Sequence, residues 1–194
     1  MDEITRRSSF IKDFYDVSLN RFPVPVVAET IGLQMRKVLE LIAKASLVAH
    51  RAVWEEASLW FRRDWHAKEI LRRVERANPG FYPRPIRESE VYDDGPIKAA
   101  WEDVPEDRYL TRGRFVDAYD AIGAMMHAQP PDHNVDYGGF LEKANEWDDQ
   151  IHELLGMHQV FLFGVPDEFF LVQMNVHGRP RWTRWTKAGF GNSP

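Results

Sequence analysis

Between Val26 and Ala49, apolar residues recur at alternating steps of four and three: Ile31, Met35, Val38, Ile42, Ala45 and Ala49. That spacing places them on one stripe of a 3.6-residue helix, with Leu39 and Leu41 widening it. The pattern predicts a helix to about Ala49 or beyond. Arg36, Lys37 and Glu40 lie off the stripe, and Arg36 can pair with Glu40 one turn later. Before it, Ser8 to Asn20 carries Phe10, Phe14 and Val17 on one side, and Pro23 and Pro25 break that short helix.

A second long helix is expected from roughly Val53 to Ala77, carrying Trp54, Leu59, Phe61, Trp65, Ile70, Leu71 and Val74. Asn78-Pro79-Gly80 ends it. Its outer surface mixes Arg62, Arg63, Lys68, Arg72, Arg73 and Arg76 with Asp64, Glu69 and Glu75, the signature of a solvated face laced with ion pairs. Residues 81–106 are the least regular. Phe81-Tyr82-Pro83-Arg84-Pro85 reads as extended, Asp93-Asp94-Gly95-Pro96 as a turn, and the whole as a packed surface loop with Phe81, Tyr82 and Trp101 plugging a gap over the helices.

Helical pattern returns at Arg114–His127, with Phe115, Ala118, Tyr119, Ile122, Met125 and Met126 on one side, and stops at Pro130-Pro131. From Tyr137, Phe140, Ala144, Trp147, Ile151, Leu154 and His158 again step by four and three. The period then changes. Gln159–Phe163 and Glu168–Val176 are rich in β-branched and aromatic residues around a Val165-Pro166-Asp167 turn, and His177-Gly178 marks a further turn before Arg179–Lys187. The fold expected is therefore mainly α. It is a helical bundle over about 8–158 with a small C-terminal antiparallel β-meander or hairpin over about 159–187, in one domain spanning 1–194. A lone hairpin is marginally stable, so the strands must pack on the helices.

Composition narrows the function. At 194 residues the chain can bury one full core. A formal charge of −5 argues against coating nucleic acid by bulk charge, though not against a local basic patch. The absence of cysteine removes disulfides, thiolate metal sites and cysteine nucleophiles. No uncharged apolar run reaches about 18 residues and no apolar segment follows the early arginines, so neither a membrane span nor a signal peptide is expected, and a cytoplasmic protein is.

Two clusters carry candidate chemistry. His127, His133, Asp149 and His152 could together bind a divalent metal that activates water, with His127, His152 and Asp149 as the catalytic groups of a hydrolase or nuclease. Within that set Asp149 and His152, three apart, have ligand-like spacing. Asp148, four before His152, shares its helix face. Separately, the tail interleaves cations with indoles. Arg181, Trp182, Arg184 and Trp185 would offer phosphate contacts and stacking surfaces to single-stranded nucleic acid. His158 continues an apolar stripe and reads as a buried histidine bonded to backbone. No Gly-rich phosphate loop, Gly-x-Ser-x-Gly elbow or dinucleotide fingerprint is present.

Arg36-Lys37-Val38-Leu39-Glu40-Leu41-Ile42 resembles the Arg-x-x-Leu-Glu segment of an early helix in HEPN-like proteins, helical bundles of bacterial defence and toxin systems. Ala121-Ile122-Gly123-Ala124-Met125-Met126-His127 is similar to the later helix that carries that family's histidine. The resemblance covers about residues 30–158. Catalytic members pair an arginine with the histidine a few residues later, and here Asp120, Ala121 and Ile122 stand where that arginine would be. The resemblance thus implies a non-catalytic binding or regulatory module acting with a protein or nucleic-acid partner. The metal-dependent enzyme is the alternative.

Overall fold

The computed structural model describes residues 2–50, 66–91, 98–127, 135–165, 167–176 and 179–186. Helices α1 (Asp2–Ser18), α2 (Val24–Ala49) and α3 (Ala67–Ala77) precede strands β1 (Arg84–Val91) and β2 (Lys98–Asp103). Helices α4 (Arg112–Met126) and α5 (Tyr137–Gly156) follow, then β3 (Met157–Val160), β4 (Glu168–Val176) and β5 (Arg179–Thr186).

The central element is α2. Its stripe of Ile31, Met35, Val38, Leu39 and Ile42 is buried against α1, α3, α4 and α5. Each aliphatic side chain taken fully out of water contributes roughly 1.5–3 kcal/mol before entropy is counted. Gly32 lets three helices close up: a Cβ there would stand 2.4 Å from Met125 Cε of α4 and 3.3 Å from Phe140 Cζ of α5. Helix starts are capped locally. Thr111 Oγ1 accepts from the Arg114 N–H at 3.2 Å, and Asp136 Oδ1 accepts from the Gly139 N–H at 2.9 Å.

The bundle and the closing antiparallel strands are as expected, but the sheet is larger. The loop expected over residues 81–106 instead carries two strands: β1 and β2 pair antiparallel, and β1 joins β3 through Arg84–Gln159 and Pro85–His158. Among the described residues the strands form one five-stranded antiparallel sheet in the order β2-β1-β3-β4-β5. Side chains of its outer strands touch, Trp101 of β2 lying edge-on to Trp185 of β5 with ring centroids 4.9 Å apart. The strand expected over Gln159–Phe163 instead begins at Met157 and ends at Val160, because the chain turns at Gly164, whose φ of 80° suits a residue without a Cβ. Helix α1 begins earlier than the apolar pattern indicated, at Asp2. The stretch 53–65, with Trp54, Leu59, Phe61 and Trp65, lies outside the described residues.

Candidate functional site

Two adjoining hollows separate the C-terminal half of α2 from the sheet. The outer one is a trough of about 540 Å³ between Ala45, Val48 and Ala49 of α2 and Phe170, Val172 and Trp182 of the strands. Alternation along the pleat explains the strand contribution: Val172 pairs with Trp182, and Phe170 lies two residues away on the same face. The inner one, about 170 Å³, shares Ala45, Ala49, Val160 and Val172 with the trough and reaches Ile4, Ile42, Phe81 and Leu155.

His158 lines the inner hollow and is 3% exposed. Its Nδ1–H donates to the Leu155 carbonyl at 3.2 Å. Burial pushes the imidazolium pKa down to about 4, so at neutral pH the ring is uncharged and Nε2 holds a lone pair. No described residue hydrogen-bonds that Nε2. Ser46 lines the same hollow, and its backbone carbonyl is taken by His50 Nδ1 at 2.7 Å. No described residue hydrogen-bonds the Ser46 hydroxyl.

His50 itself belongs to a closed network. With its proton on Nδ1, Nε2 must accept, and the Asn78 amide donates to it at 2.9 Å and to the Phe161 carbonyl at 2.8 Å. Asn78 Oδ1 in turn accepts from the Gly80 N–H at 3.2 Å. One side chain thereby ties the end of α2, the end of α3 and the exit of β3.

A third polar group is buried between α5 and α1. Asp148 is 5% exposed, and its Oδ1 has no hydrogen-bond partner among the described residues. Burial raises its pKa above the ordinary carboxylate value, with the Asp149 charge pushing the same way. His152, Lys12 and the Ser8 hydroxyl oppose the rise. The Ser8 Oγ is itself buried and has no hydrogen-bond partner among the described residues. His152 Nδ1 donates to the Asp148 carbonyl at 2.8 Å and lies 3.5 Å from its Oδ2.

Of the expected metal ligands, His127 lies at the end of α4, and Asp149 and His152 lie on α5. His127 caps the end of α4 in extended conformation and is exposed. Asp149 and His152 are exposed on α5, and the histidine's carboxylate neighbour is Asp148 rather than Asp149. His133 lies outside the described residues. Among the described residues no three His, Asp or Glu side chains group as a metal site would need. On β5, Arg184 is held by Glu168 through hydrogen bonds of 2.7 and 2.5 Å. Trp185 packs on Trp101 and lies over Phe169 at 6.5 Å. Arg181 and Trp182 remain outward, and Trp182 is 68% exposed.

Sequence reasoning missed the hollows. Their walls come from residues more than 100 positions apart, such as Ala45 and Val172, which no local period can join. No helix among the described residues is long and apolar enough to cross a membrane. Comparison with protein families, with curated proteins and with solved structures finds no match to this chain.

Proposed function

We propose that the chain is a non-catalytic binding module whose partner surface is β5 together with the trough beside it. The observation that carries this reading is Trp182, a large aromatic side chain left mostly in water on an outer strand, at the rim of an apolar trough. The outer edge of β5 pairs with no strand among the described residues, so its free backbone N–H and C=O groups offer a template for an added strand.

The partner that fits best is an extended protein segment alternating apolar and acidic residues. Its apolar side chains would enter the trough, and its carboxylates would meet the exposed Arg179 and Arg181. Single-stranded nucleic acid fits less well. Of the tail's two indoles, Trp185 is already packed on Trp101, and Arg184 is neutralised by Glu168. The non-catalytic sense of the HEPN-like resemblance is kept, since Arg36 is engaged with Glu40 and Tyr119 inside the bundle. The metal-dependent alternative draws no support from the positions of His127, Asp149 and His152.

Selection of displayed random peptides on the full chain tests the reading. Enriched peptides should alternate apolar and acidic positions, bind saturably, weaken with salt, and lose binding to Trp182→Ala and Arg181→Glu. Peptides that bind those variants unchanged would overturn it. So would a single-stranded RNA oligonucleotide whose binding the same two variants abolish while no peptide is enriched.

A further inference from the structure

The inner hollow poses a separate question from the trough, because its apolar wall carries two polar atoms that no described residue hydrogen-bonds. Here one is an acceptor, His158 Nε2, and the other a hydroxyl, Ser46 Oγ. Around them stand Ile4, Ile42, Phe81, Pro83 and Leu155.

Three occupants can be weighed. Water needs two to four polar partners to be held well, and beyond these two side chains the lining is apolar. An ion would lose its hydration without meeting a counter-charge, since none of the described side chains that line the hollow is charged at neutral pH. A neutral organic ring meets neither objection. A dry cavity of about 150 Å³ accommodates benzene, and this one measures about 170 Å³.

The geometry points to a small-molecule site in this hollow, selective for a neutral six-membered ring bearing one hydroxyl, a phenol or an alicyclic alcohol. The ring lies against Ile42, Phe81 and Leu155, and its hydroxyl donates to His158 Nε2, with Ser46 Oγ as the second polar contact. The direction of the first hydrogen bond follows from the tautomer. Nδ1 is committed to the Leu155 carbonyl, so Nε2 can only accept. The depressed pKa of His158 keeps it an acceptor throughout the neutral range. The site does not depend on a partner at β5, and either can fail without the other.

Phenol and toluene, which differ in the hydroxyl, are the probes. Titrated into the full chain and followed by calorimetry, phenol is expected to bind saturably at one site and about tenfold more tightly than toluene, the scale of one net hydrogen bond. In protein labelled with ¹⁵N-histidine, the His158 Nε2 resonance should move with phenol and stay in place with toluene. In His158→Phe, which keeps a ring of similar shape, the preference for phenol should vanish, and in Ser46→Ala it should shrink. Equal affinities for the two probes, the absence of saturable phenol binding, or an Nε2 resonance that phenol leaves unmoved would each overturn the proposal. The resonance is read in the unaltered protein, so that outcome stands even if His158→Phe does not fold.

Discussion

Arg36 of α2 and Tyr119 of α4 are joined twice. The guanidinium Nη2 donates to the tyrosine hydroxyl at 2.9 Å, and its central carbon stands 4.4 Å from the ring centroid. The two residues are 83 positions apart and lie in adjoining helices of the bundle. Tyr119→Phe keeps the ring and deletes the hydroxyl, so it should cost about 1 kcal/mol. Arg36→Met should cost more, because the cation–ring attraction of about 0.5–1 kcal/mol goes as well. Urea unfolding of both single variants and the double one measures the coupling. Strictly additive losses would show that the pair contributes nothing as a pair.

Asn78 joins His50, Phe161 and Gly80 in one polar network. Asn78→Ala removes the amide that donates to His50 Nε2 and to the Phe161 carbonyl. His50 is buried, so the loss should reach about 1–3 kcal/mol. Asn78→Asp should be at least as damaging, since a carboxylate cannot donate to either atom. A midpoint of urea unfolding unchanged in Asn78→Ala would remove the network from the account of how α2, α3 and β3 are held.

How much of this was legible beforehand follows the range of each interaction. The stripes of α2, α4 and α5 repeat within a few residues, and they are buried as their spacing implies. The hairpin of β1 and β2 was not legible. Pro83, Pro85 and the charges of Arg87, Glu88 and Glu102 mask its alternation. Its cross-strand ion pairs, Arg84 with Asp103 and Arg87 with Glu102, join residues far apart in the chain. The partners of the tail were hidden for a related reason. Arg184 and Trp185 look free on a strand until the register sets them beside Glu168 and Phe169. Asp148 did leave a trace. It falls midway between Leu141 and Leu155 at steps of seven, which is a buried position on α5.

The two indoles of β5 should behave as opposites. Trp185 is wedged between Trp101 and Phe169 although 44% exposed, so Trp185→Ala should cost on the order of 1–2 kcal/mol. Trp182 meets Phe170 at 5.7 Å but is mostly in water, and Trp182→Ala should change stability by no more than about 0.5 kcal/mol. Thermal unfolding of the two variants separates an anchor from a surface residue. If Trp182→Ala proved the more destabilising, its loss of peptide binding would no longer report on a partner surface.

Asp148 gives the fold a pH dependence of definite sign. Its carboxyl is buried against α1, and its pKa in the folded chain lies above the value in the unfolded chain. A raised carboxyl contributes its full stability while protonated, below the unfolded pKa, and loses it as pH rises through the folded pKa. The folded chain holds a buried carboxyl whose Oδ1 has no hydrogen-bond partner among the described residues, faced by His152, Asp149, Lys12 and the Ser8 hydroxyl. Asp148→Asn removes the charge and keeps the shape, so it should raise the melting temperature at pH 7.5. The gain should fade toward about pH 3.5, where the native side chain is itself protonated in both states. His152→Ala should have the reverse effect, because it takes away the group that most opposes the rise of the Asp148 pKa. Melting temperatures of the three proteins across that range decide the matter. A stabilisation by Asp148→Asn that is equal at both ends of the range would place its cause in packing and not in the buried charge.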